Sequence, residues 1–108
     1  MTVNILGTKY RVYYKSSKQD KKLANCDGHC DKTTKTIVVT TERGNLGDFA
    51  AYQRKVLRHE ILHAFLFESG LHENWTHPEF GHDETYLDWI AAQWPKINAV
   101  YTKLGITD

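Results

Sequence analysis

Apolar and polar positions partly alternate from Val3 to Tyr14 around Gly7, and a period of two is the signature of a strand with one buried face. Two short strands joined at "LGT" are expected there, as a hairpin. Residues 25 to 34, "NCDGHCDKTT", collect Asn, Asp, Gly and Thr and read as a loop. The β-branched "KTIVVTT" that follows reads as a third strand ending near Thr41.

The period then changes. Phe49, Tyr52, Val56, Ile61, Phe65 and Leu66 lie mostly along one broad helical face, with Asp48 placed to cap the start and Gly70 to stop the end. "LHENWTHPEFG", 71 to 81, is a polar and aromatic loop containing Pro78. From Asp83 onward Leu87, Ile90, Ala91, Trp94, Ile97, Tyr101 and Leu104 recur at spacings of three and four up to Gly105. That spacing predicts a second long helix, which Pro95 should kink or divide. Trp89 and Trp94 are expected in the core; Trp75 and Phe80 have a second reading as the lining of a substrate groove. The fold class is α+β: an N-terminal sheet of about three strands followed by two helices. The chain has 108 residues, enough for one core in one domain spanning 1–108.

Inside the first predicted helix stands His59-Glu60-Ile61-Leu62-His63, an H-E-x-x-H motif. Residues i and i+4 share a helix face one turn apart, so both imidazoles can address one ion while Glu60 projects beside them. Zinc bound this way takes a third protein ligand and keeps an open position for water. Histidines on the buried side of an otherwise apolar helix would in any case need partners there. Twenty-one residues past His63, "ETYLD" supplies Glu84 and, one turn later, Asp88. Glu84 is a candidate third ligand, and so are His82, Asp83, His77 and His72.

Charge narrows the partners. Fourteen basic and thirteen acidic side chains leave a net +1, so nothing calls for nucleic acid or an anionic membrane. No stretch has the apolar length of a bilayer span, and the N-terminus lacks a signal-peptide h-region. The expectation is a soluble cytoplasmic protein, with Cys26 and Cys30 reduced. Cys26, His29 and Cys30 are soft ligands at close quarters, but C-x3-C without a second half is one ligand short of a structural zinc site. A structured turn is the simpler reading of that loop.

H-E-x-x-H followed about twenty residues on by E-x-x-x-D resembles the ligand pattern of the gluzincin metallopeptidases. "NCDGHCD", "KTIVV", "LRHEILHAFLFESGL" and "DWIAAQWPKI" resemble successive blocks of the small zincin-like peptidases of phages and prophages, with the repressor-directed ImmA/IrrE-like peptidases as more distant relatives. The resemblance implies a zincin-like fold, Zn2+ as cofactor, His59, His63 and Glu84 as ligands, and Glu60 as general base. It also implies that Asp88 orients a ligand histidine through its second nitrogen, and that the "KTIVV" strand forms the sheet edge beside the zinc helix, where an extended substrate adds. The implied activity is hydrolysis of a protein or peptide inside a cell, a bacterial host cell if the chain is phage-encoded. The main alternative is a non-catalytic domain stapled by zinc that binds a regulatory or host protein. No residue is singled out as oxyanion donor among Tyr86, Tyr101, His72, His77 and His82.

Overall fold

A computed structural model describes residues 1–108. Strands β1 (Thr2–Ile5) and β2 (Thr8–Lys15) form the expected hairpin, in register Val3 to Tyr10 and Ile5 to Thr8. Its two-residue turn places Leu6 at φ 51° and Gly7 at φ 93°. Positive φ at both central positions matches the right-handed strand twist, and Asn4 Oδ1 accepts the Gly7 N–H at 2.7 Å.

After a 3-10 turn at Lys21–Ala24 come β3 (Gly28–Asp31) and β4 (Thr36–Thr40), giving one mixed sheet in the order β1-β2-β4-β3. β4 runs parallel to β2 and antiparallel to β3. The sheet departs from expectation in two respects. The sheet has four strands, because β3 lies inside the segment read as loop: Gly28 and Asp31, two of the residues that suggested a loop, are its first and last positions, and Asp31 Oδ1 accepts from the Thr33 and Thr34 N–H groups to close the β3–β4 connection. Second, the "KTIVV" strand is central, and β3 is the edge. Ile37, Val38 and Val39 are all buried, as a strand covered on both faces requires, while the 3-10 turn packs against β3 and buries Leu23.

Helix α1 (Phe49–Ser69) lies on one sheet face, against β1, β3 and β4. Asp48 caps it by accepting the Ala51 N–H at 3.0 Å, and Gly70 ends it at φ 82°. The core comprises Ile5, Tyr10, Val12, Ile37, Val39, Val56 and Ala64. Tyr10, fully buried, donates its hydroxyl to Glu68 near the end of α1 at 2.7 Å, and Lys35 reaches the same carboxylate oxygen at 2.8 Å. These bonds, Lys35 first, hold the Glu68 carboxyl down at about 2.

Helix α2 (Glu84–Leu104) begins at an Asp83 cap and rests on α1, burying Leu87 and Ala91. It continues through Pro95 undivided. Proline has no N–H to offer the carbonyl four residues back, and that carbonyl, of Ala91, accepts instead from Arg58 Nε of α1 at 2.7 Å. Trp89 and Trp94 are 53% and 43% exposed, contrary to the core assignment: with α1 as its main neighbour, α2 buries one narrow line, and side chains beside that line stay in solvent. No helix is long and apolar enough to cross a membrane.

Candidate metal centre

His59 and His63 project from one face of α1, with Nε2 atoms 3.2 Å apart. Glu84, in the first turn of α2, reaches both: one carboxylate oxygen lies 2.9 Å from His59 Nε2 and the other 2.8 Å from His63 Nε2. Each residue offers one ligand atom, and these lie within 4.8 Å of one another. Donors at ~2.0–2.1 Å from a tetrahedral zinc would lie about 3.3 Å apart, so the spacing of two imidazoles and a carboxylate fits the ion with small adjustment. Neutral imidazole is the form that binds metal, and burial pushes His63 toward it by lowering its pKa.

The remaining ring nitrogens are also engaged. His59 Nδ1 lies 3.2 Å from an oxygen of Asp88, which Lys55 contacts at 3.3 Å. His63 Nδ1 lies 2.7 Å from Nδ1 of His82. His82 is thus brought to the far side of a histidine rather than into the cluster. Of the other candidate ligands, Asp83 uses its carboxylate on the Tyr86 N–H, His72 contacts Lys32 and Glu73, and His77 stays exposed in the loop.

Glu60 is buried, 7% exposed, beside the cluster. Burial raises its pKa to about 7; His59 pulls it down and Glu84 adds to the rise. It lines two adjoining cavities, of about 450 and 200 Å³, which share Glu84, Cys26 and Gly28. The larger extends past His63 to Phe67 and His82, the smaller past His59 to Tyr52 and Lys55. Trp75 borders a separate hollow joined to the larger cavity through Glu79, and Phe80 lines neither cavity at the histidines. Among the polar side chains considered as oxyanion donors, His82 alone borders these two cavities.

Edge strand β3 forms the opposite wall. A Cβ on Gly28 would stand 2.7 Å from Val56 Cγ1 and 3.3 Å from Glu60 Cγ, so glycine lets the strand run against α1 at the base. The Thr40 N–H donates to Asp27 O at 2.9 Å. By the alternation of an antiparallel ladder, Gly28 and Cys30 then turn their N–H and C=O groups to the open edge. Sequence reasoning missed Gly28; a glycine inside a short strand was the available signal.

Cys26, His29 and Cys30 do not converge. Cys30 pairs with Ile37 and packs against the core, where burial pushes its thiol up to about 12. His29 faces the other side of the sheet and bonds Asp20 at 2.6 Å, and the Cys26 thiol donates to Lys22 O. Both thiols are free.

No protein-family model, curated protein or solved structure matches the chain.

Proposed function

We propose that this chain is a zinc-dependent peptidase of zincin-like architecture that cuts an extended segment of a protein or peptide. The observation that carries the reading is the meeting of His59, His63 and Glu84 beside a buried carboxylate on the same helix. His59, His63 and Glu84 would hold the ion, and Asp88 would orient His59. Bound zinc supplies a Lewis acid for the carbonyl oxygen and lowers the pKa of the attacking water toward ~7.

The chain's own residues do the rest. Glu60 accepts a proton from the attacking water as its oxygen bonds the carbonyl carbon, then delivers a proton to the departing nitrogen as the C–N bond breaks. Burial beside the cluster raises the pKa of Glu60 in the metal-free chain, the direction that favours a base which must also return its proton. The open edge at Gly28 and Cys30 binds the substrate main chain as an added strand. An antiparallel peptide there passes first over the Phe67 cavity and then over the Tyr52 cavity, since β3 runs from Gly28 beside Val56 toward the C-terminal end of α1.

Glu60 favours an enzyme over a zinc staple. A buried carboxylate is costly, and a purely structural metal has no use for one beside an open coordination position. The test compares new protein N-termini in cells expressing the chain with those in cells expressing Glu60→Gln, alongside the metal content of both proteins. N-termini that appear only with Glu60, at equal zinc content, support the reading. Identical N-termini in both overturn it.

A further inference from the structure

A histidine that gives Nε2 to a cation keeps its one proton on Nδ1 and needs an acceptor there. For His59 the acceptor is a carboxylate, Asp88. For His63 it is another imidazole. The His63 and His82 ring planes lie within 8° of each other with centres 4.9 Å apart, while their Nδ1 atoms are only 2.7 Å apart. The rings therefore meet edge to edge in one plane, as in a nitrogen-to-nitrogen hydrogen bond. Two nitrogens so placed share one proton. With His63 as donor, His82 accepts at Nδ1 and carries its own proton on Nε2.

We infer that His82 is a positioning residue, which holds His63 in the Nδ1–H tautomer and so aims the Nε2 lone pair at the metal cluster. The inference rests on the metal-site reading above. Nothing else in the fold selects the tautomer of His82: its Nε2 is buried, and no protein group bonds it.

Local structure holds the ring in place. Gly81, at φ 86°, turns the chain where a Cβ would stand 2.9 Å from Leu66 Cδ2, and His82 N donates to Glu79 O at 3.0 Å. The Phe67 ring, one turn beyond His63 on α1, lies 4.5 Å from the His82 ring, centre to centre. Consecutive residues thus take three tasks: His82 orients one ligand, Asp83 caps the helix, and Glu84 enters the cluster. The two histidines also become unequal, because a carboxylate acceptor makes His59 more electron-rich than a neutral nitrogen makes His63.

The experiment titrates cobalt(II) into the wild-type chain, His82→Phe and His82→Asn, following the ligand-field bands. It also locates the ring protons of the zinc-loaded wild type by long-range proton–nitrogen NMR. Phenylalanine fills the ring space without an acceptor; asparagine restores an acceptor oxygen. The expected result is affinity lowered ~10–100-fold in His82→Phe and largely recovered in His82→Asn, with protons on His63 Nδ1 and His82 Nε2. Should His82→Phe fail to fold, the asparagine variant and the wild-type spectrum still decide. Wild-type affinity in His82→Phe, asparagine no better than phenylalanine, or a proton on His82 Nδ1 overturns the inference while leaving the metal site standing. A wild-type chain that binds no cobalt overturns the metal site and the inference together.

Discussion

Two stretches of this chain gather side chains of metal-ligating type within five residues, Cys26 to Cys30 and His59 to His63. In α1 the helical period brings i and i+4 to one face, and the two imidazole nitrogens stand 3.2 Å apart. In β3 the period is two, so His29 and Cys30 point to opposite faces of the sheet, and Cys26 lies before the strand begins. Nearness in sequence is shared by both stretches; a common direction belongs only to the helix. The period of the element, more than the count of ligand-type residues, separates a site from a coincidence of composition.

The sharpest way to break this contrast is to remove a ligand from the helix. His63→Ala should lower zinc affinity by more than the ~10–100-fold that follows loss of a ligand's hydrogen-bond partner, and Glu84→Ala should do the same, as read by competition with a chromophoric chelator. Full zinc occupancy in both variants would place the metal elsewhere. Stability should follow the ion: at free zinc a thousand times its dissociation constant, binding adds about 4 kcal/mol to folding. A chelator should accordingly lower the melting temperature of the wild type and leave that of His63→Ala unmoved.

Next in size is Gly28→Ala, which acts where the two stretches meet. The new Cβ would press on Val56 at 2.7 Å, and overpacking of this kind costs about 1–3 kcal/mol. Urea unfolding of the metal-free protein should show the loss, and the proposed peptidase activity should fall with it as β3 is displaced from Glu60. An unchanged midpoint would mean that strand and helix are less tightly packed than these distances require.

The contrast in legibility runs along the same line. H-E-x-x-H, both helices and the caps Asp48 and Gly70 could be read because each depends on residues within a turn or two. Strand β3 could not, because its pairing with β4 is decided outside the segment, and the Asn, Asp and Gly in and beside it outweighed its short strand pattern. His82 was legible only as a rival ligand or an oxyanion donor: its place beyond His63 depends on how the loop through Gly81 meets Leu66. The exposure of Trp89 and Trp94 depends on how few neighbours α2 has, which periodicity along one helix does not report.

Acid reaches the scaffold independently of the proposed metal site. Glu68 ties the end of α1 to Tyr10 and Lys35, with its carboxyl at about 2 against roughly 4.3 in an unfolded chain. Because the folded value is the lower one, this stabilisation is fully present above about pH 4.3 and is lost as the pH falls toward 2. In metal-free protein, Glu68→Gln should flatten the acid limb of the stability curve below about pH 4.3. An acid limb identical to wild type would show that Glu68 does not anchor the helix.

The smallest effects should come from the strand cluster. Cys26→Ala and His29→Gln should leave zinc stoichiometry and affinity unchanged, with His29→Gln losing about 1 kcal/mol of stability through its bond to Asp20. A fall in zinc affinity in either variant would join the two stretches into one site.

The Arg58 bond to the carbonyl opposite Pro95 bears on any attempt to repair the helix. Replacing Pro95 with alanine looks like an improvement, since it restores a missing backbone donor. It would also set that new N–H in competition with Arg58 for the Ala91 oxygen, releasing a guanidinium that neighbours His59 in sequence. A designer would gain regularity in α2 and give up a clasp between the two helices whose alignment sets the height of Glu84. The irregular residue is here a fastening, and smoothing it would loosen the joint it serves.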